Sequence, residues 1–549
     1  MESRHRLYLA VSAIAALAIG SALLAAADPS EVIQQGPGGT HLFIDSRLPF
    51  KVPRPDDLPV IARHEIELDA LVDEGLREWF FSAQLDGEPF GMPAEVYDFY
   101  AAPLPPGERY RFFEVLDPLM RTGLVMIPGE PLARGMVRTR YPEPLITQNC
   151  SACHSGTVNG KLIPGLGNKW YNQKAIINNA RLLMEMSIPL LKARGPGGAE
   201  LLKRTERQLA KLRRYEALYG EGCTDLAPGM ITAARIWQIS SKLLHDPAQL
   251  ATPEGLKRFP CGATKPPPLN TLRFRNLLFW DGSVNSKWVA HWPMFDFFGF
   301  DDYERWAAKV ESRPIQALDA MVVFGTPSPA WESVMDTPVD RRLAAKGEGI
   351  FHRPQGCASC HGSHGADGML KSFRPSITPL SMIGTDPERA VAAFDELMAE
   401  FAKYGWAYVP RIAGLQEYVP GYAPSPLCSP FLNFPYLHTA GVANLRQLLL
   451  PQEQRSRAYW QSDVIDEKNV GFYDSPAMPR QLRFLPSRAV LRQKFSQAKV
   501  FGHSGERFGT LLSEAERLEL LEYLKTLRCP EEAGSGTRPL LDVGRHGMR

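Results

Sequence analysis

Cys150-Ser151-Ala152-Cys153-His154 and Cys357-Ala358-Ser359-Cys360-His361 are the two stretches on which the reading of this chain turns. Each sets two thiols and one imidazole within five residues. Thiols at that spacing can add across the two vinyl groups on one edge of a haem, and the next histidine then reaches the iron along the macrocycle axis. C-x-x-C-H is accordingly a c-type haem attachment signal. Paired zinc knuckles stand about 15–20 residues apart, far closer than these two motifs, and a thioredoxin-like pair needs neither the histidine nor a second copy. The expectation is two covalently bound haem c groups, on Cys150/Cys153 and on Cys357/Cys360, with His154 and His361 as the proximal iron ligands.

Thioether attachment of this kind is made outside the cytoplasm, and the start of the chain agrees with export. Arg4, His5 and Arg6 precede an uncharged run from Leu7 to Ala27, and Ala25 and Ala27 give an A-x-A pattern before Asp28. Residues 1–27 are therefore expected to be a signal peptide, with a membrane anchor as the alternative, since the run is long enough to span a bilayer. The mature chain would be periplasmic or secreted. Four further cysteines, Cys223, Cys261, Cys428 and Cys529, are expected to pair in such a compartment. Three connectivities exist, and chain order favours Cys223–Cys261 and Cys428–Cys529.

Composition bounds the rest. The 549 residues suit several domains. A net charge of +2 gives no field for nucleic acid, so no nucleic-acid partner is expected. The 45 glycines and 47 prolines exceed the average share and read as irregular loop. Helical periodicity appears at His64–Leu85, Gln173–Lys192, Gly198–Leu218, Asp340–Phe351 and Leu512–Leu527, the last opened by a Ser513/Glu516 capping box. The basic residues of Gly198–Leu218 read as a solvated helix face ahead of a docking patch for an acidic partner. The divisions expected are an N-terminal extension over 28–140, haem units over 141–335 and 338–530, and a disordered tail over 531–549. Leu278–Val284 and Tyr436–Val442 form a faint internal repeat, each after its own haem motif.

Together these features resemble the bacterial di-haem cytochrome c peroxidase superfamily, and within it the rubber oxygenases. The likeness rests on the two C-x-x-C-H motifs, Phe279-Trp280-Asp281-Gly282, Pro435-Tyr436-Leu437-His438, and Gly502-His503 followed by Phe508-Gly509-Thr510 and Glu522-Tyr523-Leu524-Lys525. It covers roughly residues 140–530. It implies a mainly α fold with two cytochrome-c-like units facing each other, joined by long loops. It also implies an oxidoreductase whose N-terminal haem reacts with dioxygen or peroxide while a bis-histidine C-terminal haem relays electrons. A hydrophobic substrate cleaved oxidatively, a peroxidase reducing hydrogen peroxide, and a non-catalytic electron carrier are the readings it leaves open. The partners expected are a small redox donor protein or a quinol-linked cytochrome.

Sixth ligands decide which haem does chemistry, because an iron with two strong ligands only transfers electrons. His503, in a glycine-containing loop before the closing helix, matches the family position for the second haem, with His438 as rival. For the first haem, His245 and His291 are candidates, or the position is open. Phe279 and Trp280 are then the candidate pocket residues, as an apolar distal wall or, for Trp280, a bridge between haems. Core filling is the plain alternative for both. Arg273 and Arg275 are candidates to pair with haem propionates.

Overall fold

Two short helical turns carry the motifs, and the rest of the fold is arranged about them. The computed structural model describes residues 33–35, 42–44, 68–81, 91–105, most of 122–150, 151–220, 226–232, 260–275, 278–282, 312–392, 420–485, 490–530 and 541–542, with 223 and 235. These residues are partly helical, with several small sheets of two to four strands. The helices that position the sites are α1 (Leu68–Phe81), α2 (Cys150–His154), α3 (Gln173–Ala193), α4 (Ala199–Tyr219), α5 (Arg313–Ala320), α6 (Arg341–Phe351), α7 (Ala358–His361) and α8 (Glu514–Thr526).

Most helix boundaries fall within a few residues of those read from periodicity, and the caps explain why. Asp340 caps α6 by accepting from the amides of Arg342 and Leu343. Ser513 and Glu516 close the expected capping box on α8. Asn172 caps α3 through the amide of Ala175. Residues 64–67 and 82–85 of the expected first helix lie outside the described residues, as do residues 1–27. Among the described residues no helix is long and apolar enough to cross a membrane.

The strands are the part that periodicity could not place, because each is only two to five residues long. β1 (Ser155–Val158) and β2 (Lys161–Pro164) form a hairpin directly after α2. Its turn is Asn159-Gly160, both with positive φ, the geometry that favours an Asn-Gly pair. Leu541–Asp542, within the tail expected to be disordered, adds to this hairpin beside β2. β3 (Ala458–Ser462) pairs with β4 (Val490–Lys494).

One core joins the surroundings of both motifs. Val158, Ile163 and Leu166 of the hairpin share it with Trp331, Phe351, Phe431, Phe434, Phe472 and the α8 residues Leu520, Leu521, Tyr523 and Leu524. α6 and α8 approach so closely that a Cβ on Gly347 would lie 2.1 Å from the Glu519 carbonyl oxygen. A second core packs α3 and α4 against Met92, Tyr97, Leu124, Ile146 and Ala152 of the first motif. α1 is tied to that motif as well: Trp79 Nε1 donates to Ser155 Oγ at 2.8 Å, and Asn149 Nδ2 donates to the Trp79 carbonyl at 2.9 Å.

The basic face of α4 is largely engaged within the chain. Arg204, buried, pairs with Glu95 at 2.8 Å, Arg207 with Glu143 at 2.6 Å and Arg213 with Glu185 at 2.9 Å. Cys223–Cys261 and Cys428–Cys529 are disulfide bonded, and the four motif cysteines are not.

Two candidate haem-attachment sites

The second motif opens onto a cleft with about 1400 Å³ of empty space, open solvent included. Cys357, Cys360, His361 and His503 all line it, with Ile383, Leu445, Leu448, Leu449, Phe508 and Leu524 supplying apolar walls. His361 Nδ1 lies 2.7 Å from the Ser425 carbonyl oxygen. That bond fixes the ring and leaves Nε2 for a metal, the usual outer-shell support of a ligating histidine. The His361 and His503 ring centroids are 6.4 Å apart. Two metal–imidazole bonds of about 2.0–2.1 Å, plus roughly 1.1 Å from each ring centre to its nitrogen, give about 6.3 Å for a bis-histidine metal. The residues present would fit a haem iron held by His361 and His503.

Electrostatics agree with that assignment. Burial above all, with the electrostatic influence of His361 and Arg455 in the same direction, pushes the His503 imidazole down to about 3. Burial lowers His361 too, offset in part by the Ser425 carbonyl. Both rings are thus neutral near pH 7, the form that ligates a metal. Burial and the neighbouring Cys360 push the Cys357 thiol up to about 12.

His503 is held by a device that the sequence did not advertise. Its φ is +49°, in the left-handed region that a non-glycine residue enters at a cost of about 1 kcal/mol or more. The buried guanidinium of Arg455 stabilises this loop by donating to the carbonyls of Leu448, Leu450, Val500, Gly502 and His503 at 2.7–3.1 Å. The His503 amide donates to the Ile383 carbonyl at 2.6 Å.

At the first motif, Asn149 caps α2 through the amide of Ser151. Segment 165–170 wraps it: the Gly165 amide donates to the His154 carbonyl and the Asn168 amide to the Cys153 carbonyl. Burial pushes the His154 imidazole down to about 4, offset by the Pro267 carbonyl, and pushes the Cys153 thiol up to about 12, offset by Tyr171. His245 and His291 lie outside the described residues.

No protein-family model matches this chain, and no curated protein does.

Trp280 lines the cavity of the second motif, and its Nε1 donates to the Lys265 carbonyl at 2.9 Å. Lys265 stands two residues before Pro267, so Trp280 lies where the surroundings of the two motifs meet. Phe279 is not among the residues lining that cavity. Its φ is +62°, its ring lies 5.7 Å from the Arg389 guanidinium carbon, and its carbonyl accepts from Arg275 Nη2 at 2.7 Å. Arg273 donates to the Pro530 carbonyl. Neither arginine lines the cavity; Lys265 and Arg507 do. His438 is buried, stacked on Tyr422 with centroids 4.1 Å apart, and lines the same cavity as His503.

The faint repeat has a backbone counterpart. Phe279 and Gly282 have φ of +62° and +63°, and the aligned Leu437 and Ala440 have +61° and +56°. The repeat thus places Trp280 and His438 at matching positions of two like turns. Sequence reasoning missed Arg455, Ser425, Lys169 and Lys265. The first two act through the backbone, which leaves no pattern. The lysines sit in Gly-Asn-Lys169-Trp and Thr-Lys265-Pro-Pro, where burial is not visible.

Proposed function

We propose that this chain is an exported di-haem c-type oxidoreductase of two cytochrome-c-like units. The haem on Cys150 and Cys153 meets dioxygen or peroxide. The haem on Cys357 and Cys360, between His361 and His503, relays electrons to it. The observation that carries this is the 6.4 Å spacing of His361 and His503 across a cavity that also holds both thiols of the second motif. Bound haem supplies one-electron chemistry and, where the sixth position is open, a place for a diatomic oxidant.

The chain's own residues supply the setting. Ser425 and Arg455 hold the two histidines of the relay site in place. Trp280, which lines the cavity of the second motif, would offer an aromatic step for electrons. The assignment of oxidant chemistry to the His154 side rests on resemblance to the rubber oxygenases, as does a hydrophobic substrate cleaved by oxygen. A small redox protein or quinol-linked cytochrome is the proposed electron source.

Electron paramagnetic resonance of the purified protein, as isolated and half-reduced, tests the asymmetry. The expected result is one low-spin bis-histidine haem beside one high-spin or oxygen-bound silent haem. Two low-spin haems in both states would leave electron transfer alone. Oxygen uptake with polyisoprene, set against peroxide consumption with a reduced donor, then decides between oxygenase and peroxidase.

A further inference from the structure

Two lysines are buried where the surroundings of the two motifs meet. Lys169 and Lys265 are each 9% exposed. Both line one small cleft, walled by Leu166, Pro266, Phe434 and Tyr459. A lone buried ammonium is costly, and proteins rarely keep one without a counter-charge. Lys265 is partly satisfied, donating from Nζ to the carbonyls of Asn433 and Pro435. Lys169 is not: its Nζ is buried without a hydrogen-bond partner, 4.1 Å from the centre of the Phe434 ring. Asp463 is the carboxylate acting on it from a distance, and Lys265 adds repulsion rather than relief. Two ammonium groups so placed suit an anion with oxygen acceptors.

The backbone says where that anion comes from. Lys169 follows Asn168, whose amide is bonded to the Cys153 carbonyl of the first motif. Lys265 stands two residues before Pro267, whose carbonyl acts on His154. Lys265 also lines the large cavity of the second motif. The two ammonium groups are therefore carried by the segments that enclose the first motif, at the edge shared with the second.

We propose that Lys169 and Lys265 bind the carboxylate of a haem propionate at this junction, and so raise the reduction potential of the haem that carries it. This rests on reading the two motifs as haem sites. A fixed positive charge beside the macrocycle favours the reduced iron, which carries one positive charge fewer. Removing the charge lowers the potential.

The experiment is a spectroelectrochemical titration of the full-length, haem-loaded protein and its Lys169→Met variant, each first assayed for two haems per chain. In Lys169→Met one of the two midpoint potentials is expected to fall while the other stays. Lys169→Arg, which keeps the charge, is expected to keep the wild-type value. Lys169→Gln repeats the measurement if the methionine variant does not fold. Two haems with both potentials unmoved would overturn the lysine assignment and leave the haem reading standing. A chain without two haems overturns both. Adding acetate or inorganic phosphate separates the other source: a wild-type potential that moves with either anion, and a Lys169→Met potential that does not, would mean the pocket takes a free anion and not a propionate.

Discussion

The imidazoles of His361 and His503 stand 6.4 Å apart, centroid to centroid, although they come from opposite ends of the second unit. One is fixed by the helical turn of its own motif and by the Ser425 carbonyl. The other is fixed by a left-handed residue in a loop that Arg455 clamps. If the second motif carries haem as proposed, replacing His503 with glycine is expected to convert that haem from low-spin to high-spin while both thioether bonds remain. Added imidazole should restore the low-spin spectrum, because the vacated space is the size of the lost ring. A His503→Gly protein with an unchanged low-spin signal would point to His438 as the sixth ligand.

Arg455 gives a separate handle on the same ligand without touching the haem. Its guanidinium satisfies five carbonyls, and burial has already pulled its pKa down to about 10. Leaving a buried polar group unpaired costs about 1–3 kcal/mol. Arg455→Met is therefore expected to lose at least about 3 kcal/mol in chemical denaturation. It should also give a mixture of low-spin and high-spin second haem at room temperature that sharpens to low-spin when imidazole is added. A variant as stable as wild type with a single low-spin species would sink the positioning role.

The disulfides should differ in worth by the loops they close. Cys428–Cys529 spans 101 residues and Cys223–Cys261 spans 38. On the chain-entropy account the longer loop contributes about 4.7 kcal/mol and the shorter about 3.9. The Cys428→Ala/Cys529→Ala pair is expected to lower the melting temperature more than Cys223→Ala/Cys261→Ala. It also ties the end of α8 to the segment before Phe431, within the core that joins both motifs. Equal losses, or the reverse order, would count against that role.

What the sequence made legible followed from how local the signal was. The motifs and the Ser513/Glu516 cap of α8 are set by a few neighbouring residues, and each could be read directly. The placing of His503 in the cavity needed a family likeness, because a histidine in a glycine loop has no period or cap to mark it. The four spare cysteines pair as chain order favoured. Arginine's planar fork made Arg273 and Arg275 candidates for the propionates; in the fold Arg275 donates to the Phe279 carbonyl and Arg273 to the Pro530 carbonyl. Lys169 and Lys265, which line the smaller cleft together, meet only through tertiary packing. Short strands such as β1 and β2 escaped because a few residues cannot establish an alternation.

Acid sensitivity follows from the buried imidazoles, and His438 is the one to isolate because it lies outside the attachment motifs. Burial pushes its pKa down to about 3, with the charges of Lys499, Arg389 and Lys265 acting in the same direction and the Asp386 backbone opposing. An unfolded chain would protonate this ring near pH 6.5. Between that value and about 3 the unfolded state holds one more proton, so stability falls with pH by about 1.4 kcal/mol per unit from this group alone. Above pH 6.5 its contribution is fully present. His438→Gln removes the titration and the stacking on Tyr422 together. At pH 7.5 the variant is expected to be less stable than wild type, through lost packing. As the pH is lowered to 5.0 the gap should close, because wild type pays a cost that the variant does not. The motif histidines and His503 titrate alike in both proteins and cancel in the difference. Urea unfolding of the haem-loaded proteins at four values between pH 7.5 and 5.0 checks this, and parallel stability curves would mean that His438 is not held neutral by its surroundings.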